Sequence, residues 1–202
     1  MILQRCFILE INDVTIGILA GGMATRMNNK DKGLLYINGK TLVKNIIDKI
    51  SPYTNNILIN ANRNIETYKN YNYPVVTDEY KDYQGPLSGI LSMLKNISSE
   101  YLLTVPCDSP NISWKLINKF LIDSNSNHDI FVAHNNLRSQ PVFMLLSKRL
   151  IDSLDNFLIS GQRKIDIWYK ENNFKYIYFD KEDNYFDNIN TIDQLNKYNN
   201  VK

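Results

Sequence analysis

The stretch that most constrains this chain is an apolar run that breaks on two glycines and ends among cations. It reads Ile16-Gly17-Ile18-Leu19-Ala20-Gly21-Gly22-Met23-Ala24-Thr25-Arg26-Met27, with Asp31-Lys32-Gly33 close behind. A short aliphatic run of this kind predicts a buried strand of an α/β protein. The glycines after it predict a turn with exposed backbone N–H groups, where no Cβ keeps a phosphate from the backbone. Arg26 and Lys32 then supply fixed positive charge, one as a planar fork and the other as a point charge. Strand, turn and cations in that order open a nucleotide site. The string is neither a dinucleotide fingerprint nor a Walker A loop. A tight strand–helix turn with incidental charges is the bland alternative, and it requires three separate features to coincide.

The chain has 202 residues, enough for a single domain with a full core over 1–202, with 1–14 as an N-terminal extension. Its net charge of +2 makes no electrostatic case for nucleic acid or a membrane surface as partner. Its two cysteines, Cys6 and Cys107, form no disulfide framework, zinc quartet or closely spaced redox pair. A reducing cytosol, hence a cytoplasmic location, is the simplest reading. Met1 to Ile11 is partly apolar but is interrupted by Arg5 and Glu10, with no small-residue cleavage site after it. It reads as an extra edge strand or as an early start codon. No segment approaches the length of a membrane span.

Along the chain, Leu34 to Ile37 predicts a short strand and Asn38-Gly39 a hairpin turn. Gly39-Lys40-Thr41 imitates the end of a Walker A loop, but the spacing from Gly33 is wrong and the intervening residues are mostly apolar. Thr41 to Ile50 predicts a helix with Leu42, Val43, Ile46, Ile47 and Ile50 on one face. Ile57-Leu58-Ile59 is a second buried strand, running into Asn60-Ala61-Asn62-Arg63. Polar residues there sit where ligands bind in open α/β sheets, but on their own they read first as asparagine loop caps. Pro74 to Asp78 predicts a third strand with a carboxylate at its end. Gly85 and Gly89 flank the start of a helix from Pro86 to about Lys95 and allow a flat base edge to approach.

Tyr101 to Val105 predicts a central strand ending in Pro106-Cys107-Asp108-Ser109-Pro110. Asp108 is then placed as a Mg²⁺ ligand for a phosphate substrate, or else as a turn former before proline; the glycine loop upstream favours the metal. Cys107 reads as a small buried hydrophobe. Ser113 caps a predicted helix carrying Trp114, Ile117, Phe120 and Leu121. Asp123 to Asn127 imitates an EF-hand start without its later ligands. Asp129 to Ala133 and Gln140 to Leu146 predict two strands forming an antiparallel edge. Helices over Lys148 to Ile159 and Arg163 to Tyr169, a strand over Phe174 to Phe179 and a closing helix capped by Asn190 or Thr191 complete the chain. His128 and His134 have no partner pattern and read as surface or loop residues.

Five stretches together resemble molybdenum cofactor guanylyltransferases, from about Ile16 to Leu195. They are Leu19-Ala20-Gly21-Gly22 through Asp31-Lys32-Gly33-Leu34; Asn60-Ala61-Asn62-Arg63; Asp78 with Gly85-Pro86-Leu87-Ser88-Gly89; Pro106 through Pro110; and Asn188-Ile189-Asn190-Thr191. The resemblance implies a Rossmann-like three-layer α/β domain, its sheet mostly parallel with an antiparallel addition. It further implies GTP as cosubstrate, Mg²⁺ as metal and molybdopterin as acceptor. By position, Leu19, Ala20, Gly21 and Gly22 would form the GTP loop and Lys32 would bind phosphates. Asn60 and Asp78 would bind GTP, Asp108 would bind GTP and Mg²⁺, and Asn188 and Asn190 would lie on the acceptor side. Asn28-Asn29 stand where the family has two glycines, and asparagine tolerates the left-handed backbone such a loop uses.

The implied reaction needs no protein base, because a phosphate nucleophile is already an anion. This accords with a sequence that carries no Ser-His-Asp set and no reactive-cysteine signature. Lys32, Arg26 and Asp108 are the expected catalytic residues. A related enzyme using another nucleotide or acceptor, such as CTP with molybdopterin or an NTP with a sugar phosphate, remains open. So does a non-catalytic GTP-binding module. Transient contact with proteins that supply the cofactor or mature molybdoenzymes also remains open.

Overall fold

The computed structural model describes residues 9–22, 31–80, 85–180 and 183–200. The first strand, β1, spans Val14–Leu19 and so begins ahead of the apolar run at Ile16. Leu9 and Val14 are buried, which ties the residues just before that run into the core. The edge strand expected over Met1 to Ile11 falls mostly outside the described residues, and Ile11–Asp13 form a 3₁₀ turn.

Tyr36–Ile37 (β2) and Lys40–Thr41 (β3) make a small separate hairpin. Its turn residues Asn38 and Gly39 have φ of +50° and +80°, the geometry an Asn-Gly pair favours. Lys32–Leu34 ahead of it is a 3₁₀ turn, so the strand expected from Leu34 is shorter. Helix α1 (Leu42–Ile50) follows, with Thr41 Oγ1 accepting from Lys44 N at 3.2 Å as its cap. All five residues of the predicted apolar face are buried. Next come β4 (Ile57–Asn60), α2 (Ile65–Lys69) and β5 (Val75–Val76), the last shorter than expected. Helix α3 (Pro86–Asn96) starts on its proline, and β6 (Tyr101–Pro106) is buried at every position. Helix α4 (Trp114–Asp123) has Ser113 at its N-cap position, but that side chain makes no capping bond, a correction to the sequence reading.

The remaining elements are β7 (Ile130–His134), β8 (Ser139–Ser147), α5 (Ile151–Ile159), α6 (Ile165–Lys170), β9 (Phe174–Tyr178) and α7 (Ile192–Asn200). A capping box opens α7: Thr191 Oγ1 accepts from Gln194 N at 3.2 Å, and Gln194 Oε1 accepts from Thr191 N at 3.1 Å.

The sheet has seven strands in the order β5-β4-β1-β6-β8-β7-β9. Strand β8 runs antiparallel to both its neighbours, while the other pairings are parallel. The β7–β8 pair is therefore antiparallel as expected but is not an edge. Strand β9 pairs with β7 and takes the outer place. Alternation along the strands builds two cores. Ile16, Ile18, Leu103, Val105, Phe131 and Leu145 face α1 and α4. Leu58, Leu102, Ile130, Val132 and Met144 face α3, α5 and α6. The result is three layers, helix on sheet on helix. A third, smaller cluster joins Ile37 and Leu42 to Ile189, with Leu195 and Tyr198 of α7 against it.

Leu103 is fully buried in the middle of β6, paired with Ile16 on one side and Leu145 on the other. Leu103→Ala is expected to cost about 2–5 kcal/mol, read as a lower urea midpoint.

Candidate active site

Strand β1 is where the chain changes direction across the sheet. From β1 it moves to β4 and on to β5; it then returns to place β6 on the other side of β1. In open α/β sheets the crevice at such a switch point, outside the carboxyl ends of the strands, is where ligands bind. Here the strand ends are tied together. Cys107 N donates to Leu19 O at 3.0 Å, and Ala20 N donates to Asn60 O at 2.8 Å. Beyond them opens a cavity of about 360 Å³ lined by Leu19, Ala20, Gly21, Gly22, Lys32, Asn60, Asp78, Gly85, Pro86, Pro106, Cys107, Asp108 and Val142. All eight GTP-binding candidates of the sequence reading thus face one space, the glycine corner and Asp108 together.

One wall of the cavity is charged. Lys32 Nζ lies 3.0 Å from Asp108 Oδ2, with both side chains largely buried. The same ammonium donates to Asn190 Oδ1 at 2.7 Å. Lys32 is aimed by its neighbour Asp31. The Asp31 carboxylate accepts from Gly33 N at 3.2 Å, from the Tyr68 hydroxyl at 2.6 Å and from Asn64 Nδ2 at 3.0 Å. Those three bonds hold the 3₁₀ turn that carries Lys32. Burial, with the Asp31 carboxylate adding to it, pushes the Tyr68 hydroxyl far above its ordinary range, so it stays a donor.

The opposite wall is an asparagine frame around a carboxylate. Asn60 Nδ2 donates to Asp78 Oδ1 at 2.8 Å. Asn62 clamps two segments, its Nδ2 donating to Gly21 O at 3.0 Å and its Oδ1 accepting from Asp78 N at 2.9 Å. Gly89 makes room for this frame: a Cβ there would lie 2.3 Å from Asn60 Oδ1. Its service is therefore to Asn60, not to a base edge as the sequence suggested. Gly85 does line the cavity, and its φ of +75° suits glycine at the N-cap of α3. Burial raises Asp78 above the usual carboxylate range, and the bonds from Asn60 and Asn62 offset part of that.

The structure also redistributes some roles. Asn190 meets Lys32 directly, while Asn188 Oδ1 accepts from Ser109 Oγ at 2.5 Å, one residue past Asp108. Arg26 and Asn28-Asn29 lie outside the described residues. Neither histidine lines the cavity. His134 packs on Tyr176 and Tyr178, and His128 Nδ1 is 3.0 Å from Asn125 Oδ1. Cys107 is buried, and burial pushes its thiol well up, as for a small hydrophobe. Asp31, Asn62 and Tyr68 were not singled out from the sequence. Asp31 and Asn62 stood inside quoted motifs, but Tyr68, a helix residue far along the chain, carried no local signal.

Comparison with known proteins gives consistent matches. Residues 16–173 match the family described as MobA-like NTP transferase domain. A protein named molybdenum cofactor guanylyltransferase from Vibrio atlanticus (strain LGP32) is 45% identical over 181 residues, covering 90% of this chain and 93% of that protein. One of the same name from Shewanella putrefaciens is 42% identical over 182 residues, with the same shares covered. Among solved structures, molybdopterin-guanine dinucleotide biosynthesis protein A from Archaeoglobus fulgidus superposes with a TM-score of 0.76 at 20% identity, covering 93% of this chain and 97% of that one, which speaks to the fold.

The raised Asp78 carboxyl has a consequence for stability. A folded state that favours the protonated form loses stability as pH climbs from the unfolded-state value near 3.8 through the higher folded-state value, and the penalty is complete above it. Asp78→Asn keeps an Oδ1 acceptor for Asn60 and removes that penalty. The variant is expected to show a higher urea midpoint than the wild type at pH 7, with the gap closing as pH falls toward 4. An equal or lower midpoint at pH 7 would contradict this reading.

Proposed function

The chain belongs to the MobA-like NTP transferase family, and we propose that it moves GMP from GTP onto the phosphate of molybdopterin, releasing pyrophosphate. The product is the guanine dinucleotide form of the molybdenum cofactor. The observation that carries this reading is the shared cavity: a glycine corner, one lysine and one carboxylate at its charged wall, and a second carboxylate framed by asparagines opposite. In this proposal the domain spans the chain, works in the cytoplasm and needs neither nucleic acid nor a membrane. No helix among the described residues is long and apolar enough to cross a bilayer. Transient contact with proteins that hand over the cofactor or receive it belongs to the same proposal.

The triphosphate would lie along Leu19 to Gly22, backbone N–H groups toward phosphate, with Lys32 on the leaving end. Arg26 is proposed to add a second cation there. A divalent cation serves this chemistry, and Mg²⁺ is the ion we propose. Asp108 suits it: Oδ2 pairs with Lys32, while Oδ1 carries no hydrogen bond among the described residues. One carboxylate with phosphate and water oxygens is a ligand set Mg²⁺ takes. When bound, the ion neutralises charge on the phosphate oxygens.

A phosphate oxygen of molybdopterin then attacks the α-phosphorus in line. The new P–O bond forms as the bond to the β-phosphate bridge breaks, and the electron pair leaves with pyrophosphate. No proton has to be removed, so the protein supplies position and charge. Asp78 is proposed to read the base. Its oxygens suit the adjacent N1–H and N2–H donors of guanine, a pair that adenine and cytosine do not present. Asn188 and Asn190 are proposed to border the acceptor.

The test is one assay with molybdopterin, Mg²⁺ and each of the four NTPs, products resolved by chromatography. Pyrophosphate and a dinucleotide are expected with GTP; equal turnover with CTP or ATP would overturn the base assignment, and none with any would overturn the enzyme reading. Lys32→Ala and Asp108→Ala are each expected to lose about 10²–10³ in rate while keeping wild-type circular dichroism. Asp78→Asn replaces an acceptor with a donor and is expected to weaken GTP and improve xanthosine triphosphate, measured as KM.

A further inference from the structure

The segment before α7 reaches back across the sequence to the charged wall. Ile189 N donates to Asp108 O at 2.8 Å, and Ser109 Oγ donates to Asn188 at 2.5 Å. Ile189 is fully buried against Ile37 and Leu42. Asn190 N donates to Gln194 Oε1 at 2.7 Å, inside the capping network of α7. The backbone on both sides of Asn190 is therefore pinned, and its side-chain oxygen sits 2.7 Å from Lys32 Nζ.

From this geometry we infer that Asn190 is a positioning residue that keeps Lys32 aimed into the nucleotide site. The inference rests on the phosphate-binding role proposed for Lys32. Lysine is a flexible point charge, and ordering it costs rotamer entropy. Two acceptors hold it here: the Asp108 carboxylate and the Asn190 amide oxygen. They differ in what happens when the site fills. Asp108 is also the proposed metal ligand, and a carboxylate that serves a cation holds a neighbouring ammonium less strongly. The Asn190 oxygen is neutral and is not a proposed metal ligand. It remains a fixed partner while the ammonium, with three donors in all, turns another toward phosphate. Lys32 and Asn190 are 158 positions apart, so the segment leading into α7 reaches Lys32 itself through this bond.

The experiment has two arms. The first uses protein without nucleotide, with ¹³C-labelled lysine, and reads the order of the Lys32 ε-methylene by NMR relaxation, with and without Mg²⁺. Lys32 is expected to be ordered in the wild type and in Asn190→Asp, which keeps an acceptor in place, and mobile in Asn190→Ala. The contrast is expected to be larger with Mg²⁺ present. A Lys32 equally ordered in wild type and Asn190→Ala overturns the inference, whatever the protein does with GTP. The second arm measures Mg²⁺·GTP binding by calorimetry, acceptor absent, for wild type, Asn190→Ala, Lys32→Met and the double variant. Asn190→Ala is expected to weaken binding roughly three- to tenfold, a fraction of the cost of ordering a lysine. In the Lys32→Met background it is expected to change nothing. Additive losses would mean that Asn190 acts on the ligand itself and would overturn the positioning role. Absence of GTP binding by the wild type counts against the guanylyltransferase reading alone, because the first arm stands without it.

Discussion

The pairing of β1 with β6 is the constraint on which the site depends. Six register pairs run from Val14 opposite Tyr101 to Leu19 opposite Pro106. Past the last pair, Cys107 N still donates to Leu19 O. The ladder therefore delivers two turns to the same edge at the same height, the glycine corner on one strand and Asp108 on the other. A slip of one residue would turn every side chain of β1 to the opposite layer. Ile16 and Ile18 would then face the layer that Leu102 and Met93 fill, so the hydrophobic pattern that builds the cores also locks the register that builds the site.

Around that edge, neutral amides place the charges. Asn60 and Asn62 frame Asp78; Asn64 helps hold Asp31; Asn188 ties down the segment past Asp108; Asn190 holds Lys32. An amide positions a neighbour without adding charge, so the field the ligand meets is set by a few ionised groups. This bears on an oddity of composition. Asparagine is abundant along the whole chain. At the cavity it has local meaning, and only coordinates separate the asparagines that frame carboxylates from those that cap turns, such as Asn136 at φ +63°.

Local signals in the sequence carried most of the fold. The face of α1 followed from its apolar spacing, the β2–β3 turn from Asn-Gly, and the start of α3 from Pro86, each a property of residues close together. The lining of the candidate cavity was legible to the same degree, because its loops sit just past strand ends and strand ends can be read. Three features were not legible. The position of β8 inside the sheet depends on β9 adding outside β7, a pairing of strands some 44 residues apart, as between Ile130 and Phe174, that no local pattern announces. The Ser113 side chain makes no capping bond at α4, which its residue type at the N-cap position does not disclose. The purpose of Gly89 is visible only when the Asn60 side chain, almost thirty residues earlier, is seen filling the space a Cβ would need.

The resting state of the charged wall explains how such a site stays stable while it waits. Burying one charge without a partner is expensive, and an isolated Asp108 or Lys32 would carry that cost. Together they satisfy each other at 3.0 Å, and the pair adds no net charge to the cavity. Under the proposed reading, ligand binding exchanges partners: carboxylate to cation, ammonium to phosphate. Each exchange alone leaves one member of the old pair without an opposite charge. A cation without phosphate strands Lys32, and a triphosphate without a cation strands Asp108 beside more negative charge. Both together leave nothing stranded. The ion pair thus favours a cation and a triphosphate arriving together, and that preference comes from two side chains and the distance between them.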